Sequence, residues 1–272
     1  NPACTSRPGA RGFTLIELLV VVGVVALLVG LLLPVLSEGR AAGAQAREMA
    51  AASQLIRGYT IHAVERDGEL LPGFVDPSGI TARDPLGRRF GGEPVARWPW
   101  RLAPSLDLNI RGAVLVNEQD RRLSDADDAL WSYNVSAFPS FGLNFWYVGG
   151  NERNAVLDAF VTRKLSEAAR PSSLTVFASA REKTFNGAGD YPEGFHRLDP
   201  PSGSPTNTPW SNAYDPLGRS FETGNVDFRH GNTTTVIAAL DGHAETIGLA
   251  VLSDMQRWAN DAALANDPDW TP

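Results

Sequence analysis

One cysteine and four histidines in 272 residues leave little material for thiol or metal chemistry. The cysteine, Cys4, lies in the first dozen residues, so the main body has neither a disulfide framework nor a multi-cysteine metal site. Positive charge is also short. Lys and Arg number 24 against 31 Asp and Glu, a formal net charge of -7, so the phosphate-neutralising surface of a nucleic-acid binder is not expected. The sequence contains no His-Glu-x-x-His, no Gly-x-Ser-x-Gly and no phosphate loop. These absences argue against catalysis. At 43% hydrophobic and 20% charged residues the chain is neither disordered nor polytopic, and its length suits an anchor plus one globular domain.

What the chain does have is a long apolar run. Residues 13–36 read FTLIELLVVVGVVALLVGLLLPVL, and the nineteen residues from 18 to 36 carry no charge, enough to cross a bilayer as a helix. Arg7 and Arg11 are the only charges before it, and a short basic flank stays on the cytoplasmic side, so the rest is expected to face outward. The chain opens on Asn1, and part of a leader is expected upstream of it. A secretory signal peptide would place its small residue after a shorter apolar core, whereas Gly12 comes before this one. Neither that reading nor a plain anchor explains Glu17. A carboxylate in an apolar helix costs roughly 2–3 kcal/mol on insertion scales and wants a partner. A cut between Gly12 and Phe13 would supply one: the new α-amino group of Phe13, one helical turn from Glu17 in the same chain or presented by the next.

The string RGFTLIELLVVVGVVALL resembles the prepilin class III signal of type IV pilins and type II secretion pseudopilins. The resemblance implies a peptidase cut after Gly12, methylation of Phe13 as the new N-terminus, and Glu17 as the carboxylate that guides subunit docking. Pro34 sits where pilin helices commonly carry a proline. The implied partners are prepilin peptidase, other pilin or pseudopilin subunits, an inner-membrane assembly platform and the membrane itself, with no nucleic acid. The implied location is the bacterial inner membrane, with a cytoplasmic leader and a periplasmic head. Pro34 removes a helical hydrogen bond, and Gly30 and Gly39 weaken the helix on either side, so a kink or local melt is expected there.

Beyond residue 37 the pattern turns alanine-rich and amphipathic, with Met49, Ala52, Ile56, Tyr59 and Ala63 at three- and four-residue steps. One helix over about 14–66 is expected. The organisation follows as a leader at 1–12, a transmembrane and assembly helix at 13–36, its amphipathic continuation at 37–66 and a soluble head at 67–272. His62, near the helix end, is expected to be a solvated surface histidine.

In the head, prolines and glycines scattered through 72–105 exclude a long regular element. Trp98 and Trp100 flank Pro99 in RWPWRLAPSL and are expected to bury that loop against the helix. Short β-prone runs fall at 113–116, 141–148, 174–178, 226–229, 234–240 and 244–247, with helical stretches expected at 154–169 and 249–265. The string Asp-Pro-Leu-Gly occurs at 84–87 and 215–218 and reads as a turn in both places. The fold class is α+β: a long N-terminal helix on a small, mostly antiparallel sheet with loop-rich insertions.

The segment NVDFRHGNTTTVIAALDGHAETI reads as a β-meander with turns at 230–232 and 241–242. It also resembles processing-associated pilin-like proteins that carry His, nine residues, then Asp-Gly near the C-terminus. Here ten residues separate His230 from Asp241. His230, Asp241 and His243 have side chains suited to a divalent cation, although turn-capping and hydrogen bonds along the meander account for them more simply. Calcium is a second expectation to weigh, but Asp125, Asp127, Asp128, Asp267 and Asp269 match no defined loop. No other cofactor is expected. The overall reading is a structural pilin-like subunit and not an enzyme. The alternatives are a membrane-tethered domain that binds a ligand or carbohydrate and, behind it, a tethered metal-dependent enzyme.

Overall fold

The structure, a computed structural model, describes residues 14–124, 130–182, 194–203 and 208–272. Its longest element is α1, Leu15–Val64, one uninterrupted helix of 50 residues, as the sequence leads one to expect. The chain divides into two compact units, residues 1–43 and residues 44–272.

In the first unit every described side chain up to Ala42 is exposed, including a near-continuous surface of Leu, Ile and Val. An unbroken apolar surface all round a helix belongs in lipid or against other helices. The expected melt at Pro34 does not occur. The helix runs through it although the proline lacks the N–H that would reach the Gly30 carbonyl, and one turn on the Ser37 hydroxyl donates to the Pro34 carbonyl at 2.7 Å.

In the second unit the continuation of α1 buries Ala51, Ala52, Leu55, Ile56, Tyr59 and Ala63. The sheet beneath is β3 (Phe141–Leu143), β4 (Thr175–Ser179), β5 (Thr234–Ala239) and β6 (Ala244–Gly248), in that order and antiparallel throughout. A bulge lies between Thr175 and Phe177. Tyr59 stands edge-on to Phe177 of β4 at 5.5 Å, and its hydroxyl donates to the Leu71 carbonyl, so the ring is buried with its polar end satisfied. A separate two-stranded ribbon, β1 (Thr81–Arg83) and β2 (Arg89–Gly91), turns at the first Asp-Pro-Leu-Gly, where Gly87 has φ 80° and donates to the Asp84 carbonyl. The second such string closes the same way, Gly218 to Asp215.

Between ribbon and sheet lie short helices: α2 (Glu93–Ala96), α3 (Trp98–Leu102), α4 (Asn117–Arg122) and α5 (Trp131–Ala137). Trp98 and Trp100 are buried as expected. Trp98 packs on Phe177 at 5.0 Å and donates to the His196 carbonyl, and Trp100 meets Phe90 and Trp131 and donates to the Ser132 carbonyl.

Several local expectations are corrected. Residues 113–116 are a turn held by Ile110 and Gly112 backbone bonds, and 226–229 contribute only a single bridge, Ala180 to Val226. The run expected at 141–148 is a strand for three residues only. Residues 154–169 hold two 3-10 turns, Ala155–Phe160 and Leu165–Glu167. The terminal stretch splits into α6 (Leu249–Leu252), a 3-10 turn at Met255–Arg257 and α7 (Asn260–Ala265). It splits because Asp254 caps the turn through the Gln256 amide and the Met255 amide donates to the Pro268 carbonyl instead of continuing a helix.

Candidate assembly site

At the start of α1, Thr14 and Glu17 form a reciprocal cap. The Glu17 carboxylate accepts from both the Thr14 amide and the Thr14 hydroxyl at 2.8 Å, and the Glu17 amide donates to the Thr14 hydroxyl oxygen at 3.2 Å. This is the Thr-x-x-Glu arrangement that satisfies donors a helix start would leave open. It fixes the carboxylate at the first turn, an acidic group at the positive end of the helix dipole. Gly12 and Phe13 lie outside the described residues. Among the described residues, α1 is also the one helix long and apolar enough to cross a membrane.

In the second unit a different carboxylate is buried on α1. Glu48 is fully enclosed; His230 Nε2 lies 2.9 Å from its Oε2, and an Arg229 guanidinium nitrogen lies 3.6 Å from its Oε1. Burial pushes the Glu48 acid up, but Arg229 and His230 outweigh it and hold the pKa below the usual carboxylate value. Arg229 also pairs with Asp227 at 3.0 Å and donates to the Ala180 carbonyl. The adjoining Gly231 and Asn232 have φ of 62° and 57°, the signs a type I′ turn requires, so a tight reversal aims His230 back toward α1.

Residues 7–33 match the family model described as the prokaryotic N-terminal methylation motif. The chain carries a type IV pilin-like prepilin signal. No curated protein and no solved structure matches it. The prepilin signal implies processing by prepilin peptidase and assembly with other pilin subunits, and with the apolar helix it is consistent with membrane anchorage. The match ends at residue 33, so the C-terminal signature finds no support in it.

The structure does not gather His230, Asp241 and His243. His230 precedes β5 and faces Glu48, while Asp241 and His243 sit in the turn after β5, at the far end of the strand. There Asp241 Oδ1 accepts from the His243 amide at 3.1 Å and meets its ring nitrogen at 2.6 Å, which is turn capping. Among the described residues no three His, Cys, Asp or Glu side chains are grouped to hold a metal ion. Asp125, Asp127 and Asp128 lie outside the described residues, and Asp267 accepts the Asp269 amide in a local turn.

Two residues escaped the sequence reading. Glu48 lies on the same stripe as Ala52, Leu55 and Tyr59, so its spacing marks it as buried. His62 was expected in solvent and is 5% exposed instead, three residues after Tyr59 on that stripe. Its Nδ1 lies 3.2 Å from an Arg66 nitrogen, and since arginine only donates, His62 is the acceptor there. Burial first, then the charges of Arg66 and Arg101, push its pKa down to about 4.

Proposed function

We propose that this chain is a structural pilin-like subunit, a pseudopilin or minor pilin, cut by prepilin peptidase between Gly12 and Phe13, methylated at Phe13 and assembled into a type II secretion pseudopilus or a type IV pilus-like filament. The observation that carries the reading is the Glu17 carboxylate, held by Thr14 at the tip of an exposed apolar helix directly behind the cut. Within lipid such a charge is costly, and in a filament the Phe13 amine of a neighbouring subunit would neutralise it. Helices extracted from the membrane would bury their apolar faces against one another in the filament core. The geometry supports this order of events because the cap already orients Glu17 toward the end at which the amine is created. The head, on this reading, faces the periplasm.

The reading needs no cofactor and assigns the protein no catalytic activity. It is tested by replacing Glu17 with Ala and following the chain in its own cell. Membrane insertion should persist while recovery in sheared filaments is lost; normal recovery in filaments would refute the docking role.

A further inference from the structure

The second unit contains a cleft of about 1020 Å³ between the last turn of α1, the β1–β2 ribbon, α3 and the loop segments near 70, 150 and 165. Its lining does not include Glu48. Its size is at the upper end for a small-molecule site and far beyond what an inorganic ion fills. In a chain whose net charge is -7, six cations line this cleft: Arg66, Arg83, Arg89, Arg101, Arg163 and Lys164.

Three of them, Arg83, Arg89 and Arg101, lack an ion-pair partner among the described residues, although Arg89 Nη2 donates to the Thr81 hydroxyl at 3.4 Å. Arg83 and Arg89 are direct partners across the ribbon, so both side chains leave the same face of a two-stranded sheet. Like charges directly opposite destabilise such a pair. Both residues are exposed, and among the described residues neither has a carboxylate within ion-pair distance. Arg101, on the neighbouring α3, spends Nη2 on the Pro72 and Ala96 carbonyls at 2.6 and 3.3 Å, while its buried Nε has no hydrogen-bond partner. The ribbon is held beside α3 by Phe90 against Trp100, ring centroids 4.8 Å apart.

Four carboxylates, Glu69, Asp76, Glu152 and Glu167, share the lining, and Glu152 acts electrostatically on Arg101, but none is within ion-pair distance of Arg83 or Arg89. Glu167 accepts the Arg163 and Lys164 amides, Asp76 accepts the Ser78 amide, and Glu152 accepts the Asp76 amide. Burial holds the pKa of Arg101 down to about 10 against the pull of Glu152, and burial together with the charges of Arg66 and Arg101 lowers that of His62, so this part of the wall is partly dehydrated. Leu70, Val75 and Ile80 add apolar surface beside the charges, which suits a ligand with a carbon body.

We propose that this cleft binds a small organic polyanion, its carboxylate or phosphate groups taken by Arg83, Arg89 and Arg101 and its body lying in the cleft. Guanidinium groups grip both kinds of oxyanion in paired hydrogen bonds. The head would then carry a recognition site in addition to whatever role the helix has in assembly, and the two stand or fall separately.

The test is calorimetric titration of the full chain in detergent micelles with trigalacturonate, citrate, inositol hexakisphosphate, neutral maltotriose and inorganic phosphate. At least one organic anion should bind, more weakly as salt is raised, and maltotriose should not. Binding by the acids points to a carboxylate ligand and binding by the inositol compound to an organic phosphate. The Arg83→Gln, Arg89→Gln double variant should weaken binding roughly tenfold or more while its melting temperature stays level or rises, because a repulsion has been removed. Arg101→Met should weaken it as well, and the double variant keeps the test valid if that chain fails to fold. Binding of no organic probe at millimolar concentration, binding no tighter than inorganic phosphate, or binding unchanged in the double variant would each overturn the proposal.

Discussion

His230 Nε2 lies 2.9 Å from Glu48 Oε2, so a turn residue near the C-terminus closes on a carboxylate in the middle of the N-terminal helix. With Arg229 on the other oxygen, this buried cluster ties the β5–β6 hairpin to the spine of the head. Desolvation makes such a cluster a poor net stabiliser, yet losing one member leaves a buried charge uncompensated.

Glu48→Ala should therefore cost about 3 kcal/mol, because it takes the carboxylate from His230 Nε2 and one of the two carboxylates from Arg229, which keeps Asp227 and the Ala180 carbonyl. Glu48→Gln, which keeps the shape and a hydrogen-bonding oxygen, should cost less. Denaturant unfolding of both variants checks the order; an alanine variant as stable as the parent would show that the cluster carries no structural weight.

Acid should weaken the head through His62. In the folded chain its pKa is about 4 against an ordinary 6.5, so between those values the unfolded chain binds a proton the folded chain refuses. The stability this contributes is complete above 6.5 and is lost as pH falls toward 4. Glu48, with its pKa lowered below 4.5, adds a further loss at lower pH, while Asp199 and Glu182, whose pKa values burial raises, act in the opposite sense. Comparing the parent with His62→Gln isolates the histidine: the variant's unfolding free energy should depend less steeply on pH from 6.5 down to 4. Parallel curves would contradict this.

Two glycines separate backbone strain from steric clash. Gly149 has φ 72°, and a Cβ there would stand 2.1 Å from the Leu71 carbonyl oxygen, the same oxygen that Tyr59 uses. Gly242 has φ 101° with nothing within 4 Å. Gly242→Ala should cost about 1–2 kcal/mol from conformation alone, and Gly149→Ala clearly more, because the turn holding Tyr59 must move. Thermal melts of the pair decide it, and equal losses would mean the contact at Leu71 relaxes freely.

Thr14 is expected to matter through Glu17. Thr14→Ala removes a helix cap worth about 1 kcal/mol and leaves the carboxylate held by the backbone amide alone, whereas Thr14→Ser keeps the hydroxyl. Filament recovery should fall for the alanine variant and return with serine. Failure of serine to restore it would point to the methyl group instead of the cap.

The long helix was legible because nineteen uncharged residues and then an apolar stripe at three- and four-residue steps are local signals. The β5–β6 hairpin was legible for the same reason, since Asp241-Gly242 names its own turn. What the sequence concealed depends on distant partners. His62 is buried by segments far along the chain, 226–229 form no strand because only Val226 finds a bridge, and the terminal helix breaks where the Pro268 carbonyl takes the Met255 amide. The cleft was hidden likewise, because Arg83 and Arg89 become a repelling pair only once the ribbon closes.

The central claim, a carboxylate that acquires a positive partner when the leader is removed, is tested most directly by the mass of the N-terminal peptide of the protein purified from its own cell. The account predicts a peptide that begins at Phe13 with one added methyl group on its amine. A peptide that still runs through Gly12 into Phe13 would contradict it.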